Sequence, residues 1–169
     1  MTGRTARRPT GAREDATASE AAFTGRLSTL PPEAAELFVY GTLQFGPVVR
    51  ELLGRMPEAD VAVARDLRVA ALPQRVYPGL VDEAGRMAGG LVLSGLTAAD
   101  WRTLDAFEDD EYVLRPVELV RREEPIPTYV WTAAAASADW LPEEFAADHL
   151  PGYITKCSDW RAEQARAGR

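Results

Sequence analysis

The strongest constraint on this chain is the spacing of its large apolar residues. They arrive in about six short runs, at 36–40, 59–69, 75–81, 87–95, 112–120 and 126–132, each cut off by glycine, proline or acidic residues. Few helical stretches intervene, so the strand–helix alternation of a doubly wound parallel sheet is missing. The pattern predicts an α+β domain built on a mixed, strongly bent or barrel-like sheet. The first run, Leu37-Phe38-Val39-Tyr40, is continuously apolar and reads as a buried strand that ends at Gly41. The third carries Pro78-Gly79 and reads as an edge or irregular strand, followed by a turn over 83–86. The Gly89-Gly90 pair in the fourth predicts a bulge or a close backbone approach.

Helical stretches punctuate this pattern. Gly46-Pro47 opens one through Val48, Val49, Leu52 and Leu53, and Gly54 closes it. After the last strand, 139–149 and 152–165 read as two helices separated by Pro151. Trp140, Phe145, Leu150, Tyr153, Ile154 and Trp160 are spaced to cover one side of the sheet.

With 169 residues, 46% of them hydrophobic, the chain suffices for one domain with a real core. That domain is expected over 36–169, behind a polar tail at 1–35 whose removal up to about Pro32 should be harmless. Net charge is −7, and the only concentrated positive charge is Arg4, Arg7, Arg8 and Arg13. No basic stripe with interleaved aromatics invites nucleic acid. No apolar run approaches the roughly 20 residues that span a bilayer, and the tail lacks the apolar segment of a secretory signal. A cytoplasmic protein without membrane contact is expected. One His and one Cys exclude an internal disulfide and any His/Cys metal-ligand spacing, so no metal or other cofactor is expected. His149 and Cys157 have no partner motif, and Trp131, Trp140 and Trp160 read as packing residues.

Two segments carry chemistry. Thr97-Ala98-Ala99-Asp100 is a capping-box start. The helix it opens puts Trp101, Leu104 and Glu108 on one face at i, i+3 and i+7. Glu108 should therefore continue a buried stripe, with Asp105 flanking it, either supporting Glu108 or accepting bonds at the helix end. The helix runs into Glu108-Asp109-Asp110-Glu111, although its macrodipole makes that end unfavourable for negative charge. Rules broken in this way tend to mark functional sites. Burial and neighbouring carboxylates would raise the pKa of Glu108 and suit it to proton transfer near neutrality. A solvated acidic turn is the plainer reading, and the better one for Asp109, Asp110 and Glu111. At Tyr40-Gly41-Thr42-Leu43, a buried strand ends in a glycine loop. Such a loop leaves backbone N–H groups that can hold a carboxylate or an oxyanion, and Gly41 would admit a ligand close to the main chain.

Taken together, L-F-V-Y-G-T-L, the central Y-P-G-L and L-D-A-F-E-D-D-E-Y ahead of a strand resemble the gamma-glutamylcyclotransferase-like family. The plant avirulence-induced branch is most similar, since it shares a T-Y-V-W-type strand and an acidic, Trp-containing helix. The resemblance runs from about Leu37 to about Trp160. It implies a compact mixed fold around a small β-barrel with flanking helices. It implies a substrate pocket lined by Tyr40, Gly41, Thr42, Leu43, Gln44 and Phe45, with Tyr112 beside it and Glu108 as general acid/base. It further implies a small-molecule γ-glutamyl substrate that cyclises to 5-oxoproline and releases an amine. The sequence departs from the family at Asp66-Leu67, where members usually carry Gly-Tyr. Two other readings remain: a ligand-binding or regulatory module that kept the pocket and lost turnover, and an enzyme that removes a γ-glutamyl protecting group in a biosynthetic pathway.

Overall fold

A computed structural model describes residues 22–169; residues 1–21 lie outside the described part. Strand β1 (Leu37–Val39) leads through the Gly41 loop into helix α1 (Gly46–Leu53). Gly54 ends that helix at φ 73°, a left-handed cap that glycine adopts without strain. Strands β2 (Glu58–Ala70) and β3 (Gly79–Ser94) form a long antiparallel ribbon, and β1 pairs antiparallel with the far half of β3, giving the order β1-β3-β2. Helix α2 (Ala98–Phe107) follows, then a separate hairpin of β4 (Tyr112–Val117) and β5 (Ile126–Trp131). Helices α3 (Pro142–Asp148) and α4 (Leu150–Ala167) complete the chain, with Pro151 inside the first turn of α4 rather than between helices.

The six expected strands become five, because 75–81 and 87–95 do not form separate strands. β3 runs continuously through the expected turn at 83–86, and the turn survives as an excursion within it. Arg65 pairs with Met87 and Leu67 with Asp82, so Asp66 alone faces four residues of β3. Asp66 takes φ 55°, which Asp tolerates better than most residues, and its Oδ1 accepts the Gly85 N–H at 2.8 Å. The departure at Asp66-Leu67 therefore shapes the ribbon's bend; neither residue lines the main cavity.

The two sheets wrap towards a barrel without a continuous ladder around it. On one side Leu119 bridges Ala64, and Arg65 N donates to Glu118 O at 3.1 Å. On the other, side chains replace the ladder. Thr128 Oγ1 donates to Phe38 O at 2.8 Å, and the Tyr40 hydroxyl donates to Tyr129 O at 2.6 Å. Thr128 is fully buried, so its bond removes an otherwise costly orphan hydroxyl. Gly90 is the close approach anticipated there: a Cβ would sit 2.2 Å from Val39 O and 2.8 Å from the Phe38 ring. Gly90→Ala should destabilise by about 1–3 kcal/mol or more, read as a lower unfolding midpoint in urea with m unchanged.

The expected tail divides. Residues 22–35 lie against α2: Leu27 is buried in a 3-10 turn over Gly25–Thr29, and Trp101 Nε1 donates to Ala34 O at 2.8 Å. The domain thus begins ahead of residue 36. Among the described residues, no helix is long and apolar enough to cross a membrane, and no group of His, Cys, Asp and Glu could hold a metal ion.

Candidate active site

Helix α2 starts as its sequence dictates. Asp100 N donates to Thr97 Oγ1 at 3.2 Å, and Thr97 N donates to Asp100 Oδ2 at 2.9 Å, a complete capping box. Trp101 and Leu104 are fully buried and fix which face of α2 meets the core. Glu108 is reached differently from the expected stripe. It is the residue after the last helical one, with ψ 143°, so the chain's exit from the helix turns its side chain into a cavity. That cavity has a volume of about 280 Å³.

The loop after β1 forms another part of the wall. Tyr40, Gly41, Thr42 and Leu43 all line the cavity, as does Tyr112 from β4. The loop makes a 3-10 turn over Thr42–Gln44, whose first bonds are donated by Gln44 N to Gly41 O and Phe45 N to Thr42 O. The N–H groups of Thr42 and Leu43 come before these and are not used by the turn. Gln44 and Phe45 do not line the cavity. Gln44 Nε2 donates back to Tyr40 O at 2.6 Å and braces the loop, while Phe45 packs on Phe145 at 5.3 Å. Gly41 also meets a packing need. A Cβ there would lie 2.7 Å from Pro78 Cγ, so the Y-P-G-L segment closes directly over the Y-G-T-L loop.

The remaining lining came from elements the sequence reading treated as scaffold. Tyr77 and Pro78 lead into β3; Tyr153, Lys156 and Trp160 face in from α4; Phe107 and Asp109 flank Glu108. Asp109 lines the cavity and accepts a hydrogen bond from the Tyr77 hydroxyl, while its side chain stays partly exposed. Lys156 stands over the Tyr77 and Tyr153 rings at 5.9 and 5.5 Å, the one cation among the lining residues. His149 and Cys157 lie outside it, and burial pushes the Cys157 thiol up to about 11, which leaves it unreactive.

Glu108 is half-buried, and desolvation pushes its carboxyl up to about 8. Positive Arg26 pulls it down, while the negative Asp109 and Asp105 raise it. Among the described residues no hydrogen bond holds the carboxyl oxygens, so they remain available to a ligand. Tyr40, Tyr112 and Tyr153 are raised mainly by burial and further by the Glu108 charge. Each stays a neutral phenol. The Tyr112 hydroxyl donates to Pro78 O, and Thr42 Oγ1 donates to Tyr153 Oη at 3.4 Å, so these groups hold the walls together. The result is a small pocket rich in aromatic residues, with one free carboxyl, a loop whose turn leaves two backbone donors unused and a lysine among its lining residues.

A family model described as gamma-glutamyl cyclotransferase, AIG2-like, matches residues 37–161. The chain belongs to that family. AIG2-like protein D of Arabidopsis thaliana is 32% identical over 136 residues, which cover 75% of this chain and 89% of that protein. A solution structure from Arabidopsis thaliana aligns with a TM-score of 0.56 at 30% identity, covering 72% of this chain and 87% of the other. A solved gamma-glutamyl cyclotransferase aligns at TM-score 0.53 and 17% identity over 74% and 86%, a likeness of fold. The gamma-glutamyl cyclotransferase, AIG2-like match spans both walls of the cavity, from the Tyr40 loop to Trp160. It starts after the segment that carries Arg26.

Proposed function

We propose that this protein cyclises a γ-glutamyl amide or peptide, releasing 5-oxoproline and a free amine, with Glu108 as general acid/base. The observation that carries this reading is an unbonded carboxyl lining the same small cavity as the loop whose Thr42 and Leu43 N–H groups the 3-10 turn leaves unused. A γ-glutamyl amide brings its own nucleophile: the α-amino group reaches the side-chain carbonyl and closes a five-membered ring. Such a step needs chiefly positioning and proton transfer. Ionised Glu108 takes a proton from the α-ammonium. The amine adds to the carbonyl carbon, and the oxyanion faces the backbone donors of the 41–43 loop. As the tetrahedral centre collapses, the original C–N bond breaks, Glu108 returns its proton to the leaving amine, and the ring nitrogen gives up its second proton to solvent to leave the lactam N–H. Lys156 is the cation available to a substrate carboxylate. No step calls for a metal or cofactor.

The test is a panel of γ-glutamyl amines, γ-glutamyl dipeptides and glutathione, assayed for 5-oxoproline and free amine in equal amounts. Turnover on at least one member is expected. Saturable binding with no 5-oxoproline from any member would leave a ligand-binding module instead. The pH profile adds a second check. The base must be ionised, so kcat/KM should rise with pH through a limb near 8, which reports the free enzyme. In the complex the substrate ammonium lies beside Glu108 and lowers its pKa. The limb in kcat should therefore fall at lower pH than the limb in kcat/KM.

A further inference from the structure

The end of α2 combines four acidic residues in sequence with the negative pole of a helix, and no Lys or Arg stands in its last turn. The structure supplies the missing cation from elsewhere. Arg26, in the 3-10 turn ahead of β1, lays its guanidinium across the helix end. Nε donates to Asp105 Oδ1 at 2.7 Å, and Nη2 to Asp105 O at 2.7 Å and Glu108 O at 3.3 Å. Nη1 donates to Asp109 O at 2.7 Å and Tyr112 O at 2.9 Å. The group also stacks 5.2 Å from the Tyr129 ring centroid, and the Tyr129 hydroxyl donates to the same Asp105 oxygen at 2.9 Å. Every N–H direction of the fork is aimed at the turn that presents Glu108.

We propose that Arg26 is a positioning residue for Glu108, supplied by a segment outside the family-matched region, which fixes the turn at 105–112 and holds a positive charge against the turn that carries the carboxyl. This rests on Glu108 being the reactive group, and it adds what makes that group usable. Four backbone carbonyls from Asp105 to Tyr112 converge on one planar cation, and a guanidinium alone has the donors to satisfy them in one geometry. The same charge answers the helix dipole. The other groups around Glu108 are the acids Asp105 and Asp109, the phenols of Tyr40, Tyr77, Tyr112, Tyr129 and Tyr153, and Lys156 at the exposed side of α4. Arg26 is the one positive charge that pulls Glu108 towards its ionised form in this set.

The test titrates the Glu108 carboxyl directly, by carbon NMR on protein labelled at glutamate, with Glu108→Gln identifying the signal. This readout needs no turnover, so it stands apart from the assay for 5-oxoproline. Arg26→Gln should raise the midpoint by about one pH unit or more, the usual reach of a nearby opposite charge. If a substrate is turned over, the acid limb of kcat/KM should move up by the same interval, and kcat on the alkaline plateau should fall. Arg26→Lys keeps the charge and loses the fork. Its midpoint should stay near the wild-type value while plateau kcat falls with KM little changed. An unmoved Glu108 midpoint in a folded Arg26→Gln protein would overturn the proposal, whatever happens to its melting temperature. So would an Arg26→Lys enzyme with wild-type kcat on the plateau.

Discussion

Glu108→Gln should lower the rate of 5-oxoproline formation by roughly 10²–10⁴-fold, the range for lost general acid–base catalysis. The two side chains are nearly isosteric, and the Glu108 carboxyl holds no partner whose loss would collapse the cavity. KM should therefore change little and the loss should appear in kcat. The phenols and the second carboxylate nearby do not replace it. Tyr40, Tyr112 and Tyr153 stay protonated, and Asp109 is tied to the Tyr77 hydroxyl. Asp110→Asn is the control, because it removes one charge from the same acidic run at an exposed position. Equal losses in both variants would assign the effect to the acidic field, and a fully active Glu108→Gln enzyme would sink the catalytic assignment.

How far such a site can be read from sequence depends on whether its residues act through local pattern. The capping box at Thr97 and Asp100 is local, and both of its hydrogen bonds form. The Tyr40 loop was legible because a buried strand ending at glycine has few ways to continue. Gln44 and Phe45 were grouped with it through family resemblance, yet the 3-10 turn carries these last two side chains away from the cavity. Gln44 braces the loop and Phe45 joins the core. Tyr153, Lys156 and Trp160 did leave a signal. They share the i, i+3, i+7 spacing that exposed Trp101, Leu104 and Glu108, and their helix was read as packing alone. Arg26 left none. It is 79 residues from Asp105 in a polar stretch, and only the folded chain brings its fork to the helix end. The acids at that end were a visible anomaly, and the compensating charge was nonlocal.

The division of β3 into two expected strands has a comparable cause. A turn signal at 83–86 is genuine, since Gly85 sits at φ 79°. Whether a turn ends a strand or merely bends it depends on the partner. Here β2 places a single residue, Asp66, opposite the excursion and resumes pairing on both sides. Sequence periodicity carries no information about that partner.

The second large effect is on stability, and it runs opposite to the effect on turnover. Glu108 has a folded-state pKa of about 8 against an ordinary value of 4.5. Below about pH 4.5 the carboxyl is neutral in both folded and unfolded chains and makes no difference. Between 4.5 and 8 the unfolded chain ionises Glu108 while the folded chain keeps the proton. The folded state then binds more protons, and stability falls as pH rises. Above about 8 both states are ionised and the loss is complete. Gln is neutral throughout and escapes this loss. The Glu108→Gln protein should match wild type near pH 4 and become more stable by about 2–4 kcal/mol at pH 8.5, a figure reduced from the full shift because the carboxyl opens onto solvent. Thermal melts of both proteins from pH 4 to 9 would show the gap in Tm opening through this window, to several degrees at its upper end. A gap that is constant across pH would mean that Glu108 titrates normally. The low-activity variant being the more stable one at alkaline pH is what a carboxylate desolvated for chemistry requires, because the burial that makes Glu108 a usable base is the same burial that strains the folded state once it ionises.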